Sequence, residues 1–434
     1  MRAIDLIIKK RNGGSLSDDE INFFVLEFSQ GQIPDYQAAA FCMAVFFRGM
    51  SEAETVALTM AMVGSGQQLD LSDIAPVVAD KHSTGGVGDK TTLVLAPLVA
   101  ATGLPLAKMS GRGLGYFGGT VDKLETIPGF RADLTDTEFR AALKKVGLVV
   151  SGQSSQMAPA DGKFYALRDV TGTVESLPLI ASSVMSKKIA AGTNCIVLDV
   201  KYGQGAFMKT LDEAKALGQT MTAIGRGVGR QVRAVLSSME QPLGFAVGNA
   251  LEVREAVETL QGRGPADLQE LCFILGSQLL VMAGRAEGEA TARLQLQNAL
   301  ASGAAWAKLK EFVANQGGDT SVLDDTSKLP QAAWQEDLAA PQSGYVAAID
   351  AEQIGIAGYT LGTGRKTKTD QIDLTVGLIL RRKVGDKVEA GEPLLQIHAS
   401  SREKAAEVKA GLLAAYSFSP ARVAQPPLID SIIK

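Results

Sequence analysis

Lys81-His82-Ser83-Thr84-Gly85-Gly86-Val87-Gly88-Asp89-Lys90-Thr91-Thr92 lies between a short apolar run, Val77-Val78-Ala79, and a long one, Leu93 to Ala101. The expectation is a strand, a glycine-rich turn and a helix, an arrangement that binds anions. Gly85, Gly86 and Gly88 let the backbone turn tightly and approach a ligand, and unpaired N–H groups at the start of the following helix point at negative charge. Lys81, Ser83, Thr91 and Thr92 add a cation and three hydroxyls, and His82 adds the only imidazole of the stretch. That donor set suits a phosphate oxyanion. The competing reading is a helix-capping turn with solvated side chains, against which the density of donors argues. The stretch is not a P-loop, because Asp89 separates Gly88 from Lys90 where a Walker sequence needs Gly-Lys-Ser/Thr in succession.

The same alternation recurs downstream. Leu104 to Met109 leads into the glycine-rich stretch from Ser110 to Thr120, Asn194 to Lys201 into Tyr202-Gly203-Gln204-Gly205, and Gln231 to Met239 into Gln241-Pro242-Leu243-Gly244. In an α/β sheet such loops emerge together at the carboxyl ends of the strands, so one composite site is expected. Gly113, Gly115 and Gly118 also satisfy GxGxxG, with Asp133 and Asp136 downstream, the fingerprint of a nicotinamide-dependent dehydrogenase. That turn does not open a βαβ unit, however, and Val121 to Pro128 is too short for a dinucleotide helix.

The residues before the first strand read as helical. Ser17-Asp18-Asp19-Glu20 and Ser51-Glu52-Ala53-Glu54 are capping boxes, the first followed by Ile21, Phe24, Val25 and Phe28 on one face. Asp35 to Phe47 is apolar on most faces, as for a helix buried in a bundle or against another subunit. A further helix beginning near Pro178 places Ser183 and Lys187 four apart on one face, within reach of Arg168. Lys187 and Lys188 read equally well as cations complementing that helix's C-terminus before Gly192.

A length of 434 residues implies two or three domains. A net charge of −4 with mixed signs gives no footprint for nucleic acid or an anionic membrane, so neither is an expected partner. The most apolar stretch, Leu93 to Leu106, is broken by Pro97, Thr102, Gly103 and Pro105, and the first residues hold no signal-peptide core. Cys42, Cys195 and Cys272 are far apart in apolar runs, which fits buried free thiols in a reducing cytoplasm, and a chain with only His82 and His398 argues against a histidine zinc site. From about Pro341 short strands and turns resemble a lipoyl- or biotinyl-carrier hammerhead. The modified-lysine turn is missing, so a structural domain is expected, with His398 an ordinary strand residue. Asn315 to Asp337 reads as a surface excursion leading to this tail.

KHSTGGVGDK, AKMSGRGLG with GGTVDKLE, ALRDVTGTVES with SSVMSKK, and DVK with GAFMKT together resemble the pyrimidine-nucleoside phosphorylases, the family that includes thymidine phosphorylase. The resemblance runs along almost the whole chain, in order. It implies an α/β protein with a small all-helical domain (1–66 and 160–192), a large α/β domain with a central mixed sheet (67–159 and 193–335) and a β-rich, hammerhead-like C-terminal domain (341–434). A homodimer through the helical domain is implied, with a pyrimidine nucleoside and inorganic phosphate brought together by domain closure.

Carried over by position, Lys81, Ser83, Thr92, Lys108, Met109, Ser110 and Thr120 would hold phosphate, and Arg168, Ser183 and Lys187 the pyrimidine ring. His82, Arg168 and Lys187 would stabilise the departing base. The resemblance also implies one structural potassium ion per subunit, at Gly88, Lys90, Leu243, Ala246 and Glu255, and no organic cofactor. Lys108 implies acceptance of uridine as well as thymidine. Two departures stand out. Tyr116-Phe117 replaces the family's His-Thr, and Tyr202-Gly203-Gln204-Gly205 replaces its Val-Gly-Ser-Gly or Thr-Gly-Ala-Gly. These are the two halves of one closing contact, which is expected to be rebuilt with aromatic packing.

Overall fold

The computed structural model describes every residue except Leu114, Phe117, Ser155 and 366–369. The chain begins with four helices, α1 (Ala3–Arg11), α2 (Asp18–Ser29), α3 (Asp35–Arg48) and α4 (Glu52–Gly64). Both capping boxes form: Ser17 and Ser51 accept from the N–H of Glu20 and Glu54, whose carboxylates return to the serine N–H groups. Glu54 also accepts from Lys10 Nζ at 2.8 Å and Leu16 N at 2.8 Å, so one buried carboxylate ties α1 and the turn after it to α4. Phe24, Phe28 and Phe41 fill the space between these helices, with Phe24 stacked on Phe41 at 4.2 Å between ring centroids.

The alternation then becomes strand and helix: β1 (Ala79–Ser83), α5 (Thr91–Ala101), β2 (Leu106–Ser110), α6 (Thr120–Leu124), α7 (Asp136–Val146), β3 (Leu148–Gly152), α8 (Pro159–Asp169), α9 (Leu177–Ala190), β4 (Cys195–Tyr202), α10 (Leu211–Gly227), β5 (Gln231–Ser238) and α11 (Asn249–Leu260). Five strands lie parallel in the order β5-β4-β1-β2-β3, and Ile429–Ile433 adds an antiparallel edge beside β5, making the sheet mixed. The strands read as continuous apolar runs because both faces are covered. One face packs on α5, α11 and Ala266–Met282, the other on α7, α9 and α10. The chain leaves β1 for β2 and β3 on one side and returns to β4 and β5 on the other. In such a sheet the crevice for ligands opens at that reversal, beyond the carboxyl end of β1.

Helix α9 belongs to two cores. Leu179 packs with Ala160, Phe164 and the residues of α1 to α4, whereas Ala181, Met185 and Ile189 pack under the sheet. The helical unit is therefore joined to the α/β unit at the sheet end where the crevice opens.

The tail forms two small antiparallel sheets, one of Gly344–Ile349, Lys387–Val388 and Tyr416–Ser419, the other containing Trp334–Ala339, Gly377–Leu380 and Pro393–Ala399. The first strand begins at Trp334, Ala246–Val247 of the α/β segment pairs with Gly377–Leu380, and the last strand leaves to pair with β5. An open β5 edge exposes a row of N–H and C=O groups, and the returning strand satisfies them. The stretch Asn315 to Asp337, expected as a surface excursion, instead buries Val322, Leu323 and Leu329. Cys42, Cys195 and Cys272 are free and buried, and burial pushes the first two thiols up to about 12. Among the described residues no helix is long and apolar enough to cross a membrane.

Candidate active site

β1 ends in His82 and Ser83 and β2 in Ser110, so the two strands deliver an imidazole and two hydroxyls to the reversal point. The glycine turn follows, with Gly85 and Gly88 at φ +94° and +75°, values only glycine adopts without strain, and α5 begins at Thr91. Asp89 Oδ1 accepts from the Thr91 N–H at 3.1 Å, which fixes the turn onto the helix. A cavity of about 260 Å³ lies beyond these strand ends, lined by His82, Ser83, Asp89, Thr92, Lys108, Met109, Ser110, Thr120, Lys187 and Lys188 among others. A second cavity of about 340 Å³ shares Met109, Gln153 and Lys187 with it and continues to Met157, Pro159 and Asp161 on the helical side. One crevice thus runs from the glycine turn to α8.

Of the residues expected at phosphate, Ser83, Thr92, Lys108, Met109, Ser110 and Thr120 line the first cavity. Lys81 does not. Its ammonium is buried behind the wall, 3.5 Å from Asp199 Oδ2 and 3.8 Å from Asp89 Oδ1, with no hydrogen-bond acceptor. The two carboxylates compensate its charge, so the cavity wall itself is polar through its hydroxyls, Lys108 and Lys187. Lys188 Nζ reaches Asp80 Oδ2 at 2.8 Å and Met109 O at 2.9 Å, and Lys108 Nζ donates to Lys81 O at 2.7 Å.

These charges shape one another. Burial, then Lys188, pushes Lys108 well below the usual lysine range, with Asp80 and Asp89 opposing and Lys81 adding to the shift. For Asp89, burial acts upward, but Lys81, Lys201, Lys123 and the Ser83 hydroxyl outweigh it and hold the carboxyl well below the carboxylate range. His82 is pushed well below its ordinary value by burial and then by Lys188, Lys108, Lys81 and Lys187. The site therefore presents a neutral imidazole among cations, a donor that carries no charge of its own near neutral pH.

On the helical side Lys187 Nζ lies 2.6 Å from Asp161 Oδ2 and 3.0 Å from Ser183 Oγ, so the expected four-residue pairing on α9 exists. Ser183 is buried behind Lys187. Arg168 differs from its expected place: it lines neither cavity, and its guanidinium donates to Thr173 O at 3.1 Å, Leu179 O at 3.1 Å and Val174 O at 2.6 Å. The turn from α8 into α9 leaves the carbonyls of Thr173 and Val174 outside any helix, and the buried arginine satisfies them while also reaching Leu179 O in the first turn of α9. Sequence reading passed over Asp161, Gln153 and Lys188 as site residues. Asp161 had no signal of its own, and the helix-terminus reading of Lys188 competed with a site role.

Three of the five residues expected to cage potassium, Leu243, Ala246 and Glu255, converge, but on the ammonium of a fourth, Lys90. Lys90 Nζ donates to Leu243 O at 2.8 Å, Ala246 O at 2.7 Å and Glu255 Oε2 at 2.5 Å. An alkali ion among the same oxygens would meet a like charge, so the residues present do not fit that ion while Lys90 is seated there. The GxGxxG stretch leads only into α6, a helix of 5 residues, too short to seat a dinucleotide. Tyr116 of that stretch bonds to the C-terminal unit, and Phe117 lies outside the described residues. His398 is a strand residue bonded to Gln396, as expected.

A helical unit against a doubly wound sheet, with a crevice of hydroxyls and lysines where they meet, is the two-domain arrangement of a glycosyl transferase family. Residues 4–66 match "Glycosyl transferase family, helical bundle domain", residues 75–306 "Glycosyl transferase family, a/b domain", and residues 345–419 "Pyrimidine nucleoside phosphorylase C-terminal domain". The chain is 57% identical over 433 residues, covering 100% of both sequences, to the pyrimidine-nucleoside phosphorylase of Bacillus subtilis. It is 56% identical over 429 residues to that of Geobacillus stearothermophilus, covering 99% of each, and 55% identical over 433 residues to that of Staphylococcus aureus, covering 100% of each. An anthranilate phosphoribosyltransferase structure from Thermus thermophilus superposes with a TM-score of 0.59 at 20% identity, over 73% of this chain and 99% of that one, a likeness of fold. The chain belongs to the pyrimidine-nucleoside phosphorylase family.

Proposed function

We propose that this chain catalyses the reversible phosphorolysis of uridine, thymidine and deoxyuridine to free base and ribose or deoxyribose 1-phosphate, by phosphate attack at C1′ after domain closure. One observation carries the reading: a single crevice holds hydroxyls and lysines at the sheet end and a lysine–carboxylate pair on the helical side. Phosphate sits at Ser83, Thr92, Lys108, Ser110 and Thr120, and Lys81 behind that wall adds positive charge without touching it. The nucleoside lies toward α8 and α9. The C1′–N1 bond breaks as C1′–O forms, and the bonding pair leaves on the base as the sugar gains oxocarbenium character. Lys187 and the neutral His82 stabilise that charge and donate to the base, while closure excludes the water that would otherwise capture the cation. Arg168, turned into the backbone of the α8–α9 turn, positions the start of α9. Lys108 supports acceptance of the ribose as well as the deoxyribose series.

Tyr36, Met43, Phe46 and Phe47 of α3 leave an apolar outer face on the helical unit, which supports a homodimer formed there. The three free thiols support a reducing, cytoplasmic setting. Release of uracil or thymine from the three nucleosides, with and without phosphate, tests the activity. Phosphate-dependent release with sugar 1-phosphate formed is expected. NAD binding with no phosphate dependence would support the dehydrogenase reading instead, and no release from any nucleoside would leave only the family fold.

A further inference from the structure

Lys90 is the one residue between the glycine turn and α5 whose side chain leaves the crevice altogether. It is 1% exposed and reaches across to the loop after β5 and to α11. An ammonium has three donors, and here three acceptors take them: the carbonyls of Leu243 and Ala246 and one carboxylate oxygen of Glu255. The other carboxylate oxygen of Glu255 accepts from the N–H groups of Phe245 at 2.9 Å and Ala246 at 3.1 Å, so both oxygens are engaged and face inward. Two glycines make room. A Cβ at Gly88 would stand 2.7 Å from Leu243 O, and one at Gly244 would stand 2.3 Å from Glu255 Oε2 and 3.0 Å from Lys90 Nζ. The backbone is thus shaped around a single positive charge with hard oxygen donors, which is what an alkali cation would also require.

We propose that Lys90 is the resident cation of this cage and that the chain binds no alkali metal there. A tethered ammonium cannot dissociate, so the junction between the glycine turn and the loop after β5 holds its geometry whatever the salt. Lys383 holds the same loop from its other side, donating to Gly244 O at 2.9 Å and pairing with Asp267 Oδ2 at 3.1 Å. Two internal ammonium groups, from different units of the fold, therefore fix one loop.

The test uses the full-length protein dialysed into potassium-free, sodium-free tetramethylammonium chloride, compared with potassium chloride at equal ionic strength. Tm and the rate are expected to be the same in both, with much less than one potassium per chain by elemental analysis. Lys90→Thr removes the ammonium and keeps every oxygen of the cage, and its Tm is expected to rise with potassium concentration, as for a ligand that binds only the folded state. One potassium per chain in the unaltered protein, or a Tm that rises with potassium but not tetramethylammonium, would overturn the proposal. So would a folded Lys90→Thr whose Tm ignores potassium. If that variant does not fold, the metal content and salt response of the unaltered protein decide alone. None of these readouts depends on which nucleoside is the substrate.

Discussion

Tyr116 Oη donates to Glu352 Oε1 at 2.7 Å, joining the glycine-rich stretch after β2 to the C-terminal unit. Lys209 completes the bridge, reaching Glu352 Oε1 at 3.1 Å and Gln204 O at 2.9 Å. The two sequence departures, at Tyr116 and at Tyr202 to Gly205, therefore meet through a third party, a carboxylate with a lysine beside it. The hydrogen bond to Tyr116, then Lys209, lowers the Glu352 pKa. Aromatic packing contributes as well, since the Tyr116 ring lies where a Cβ on Gly355 would come within 2.8 Å of it. Tyr116→Phe removes the hydroxyl and keeps the ring. A loss of about 1 kcal/mol, or roughly five-fold in kcat/KM, is expected from one hydrogen bond to a partly exposed carboxylate. Unchanged kcat and KM would leave the ring packing as the only latch.

His82 and His398 are the only histidines, and both are pushed below the ordinary imidazole range, His398 to about 4 by burial and then Arg254 and Arg381. Neither imidazole signal in a proton NMR titration of the free protein is expected to move between about pH 6 and 8. The unfolded chain takes up these protons near pH 6.5 and the folded chain does so only at lower pH. Stability is therefore fully present above about pH 6.5 and falls as the pH drops below it. A histidine titrating near pH 7 would contradict the assignment.

His82→Gln keeps a neutral donor without the ring. A fall of about 10²-fold in kcat is expected, the lower end of what a donor to a leaving group contributes. The profile between about pH 6 and 8 should keep its shape, since the imidazole carries no charge change there. An altered slope in that window would mean that His82 titrates during turnover.

Lys187 is about a quarter exposed at the crevice, and its partner Asp161 is buried, with one carboxylate oxygen already lacking a hydrogen bond. Lys187→Gln is expected to lower kcat/KM by about 10²-fold through lost stabilisation of the departing base. Asp161→Asn leaves the ammonium in place but frees it to move, so a smaller fall, about 10-fold, is expected mainly in kcat. Equal losses in the two variants would indicate that the pair acts only on folding, which a Tm measurement would reveal.

The side chains of Lys10 and Glu54 are 5% and 3% exposed. Burial raises the Glu54 pKa, but the bond from Lys10 and those from Leu16 and Ser51 more than offset it, so the net shift is downward. Stability from this carboxylate is present above about pH 4.5 and is lost as the pH falls through its lowered folded value. Glu54→Gln strands a buried ammonium and is expected to cost about 3 kcal/mol, read as a lower urea midpoint. A cost under about 1 kcal/mol would show that water reaches the pair.

The strand, glycine-turn and helix units, both serine capping boxes and the Ser183–Lys187 pairing were legible in the sequence because each depends on residues within a few positions of one another. So were Ser83 and Thr92 of the crevice, since strand ends and helix starts of a doubly wound sheet converge by topology alone, whereas Lys108, Ser110 and Thr120 followed only from the family resemblance. The destinations of long polar side chains were not. Lys90 meets partners 153, 156 and 165 residues further along, and no local pattern ranks a cage above solvent for it. Arg168 turned to the carbonyls of Thr173 and Val174 in its own turn, and of Leu179 at the start of α9, because a buried backbone oxygen outside a helix must find a donor, and only the packed turn shows which oxygens those are. The last strand joined β5 for the same reason on a larger scale, an open sheet edge that only the assembled fold exposes. Local periodicity and composition were enough to specify the elements and the kind of ligand, whereas the pairing of buried charges was decided by three-dimensional proximity in a medium that leaves no polar group unpaired cheaply.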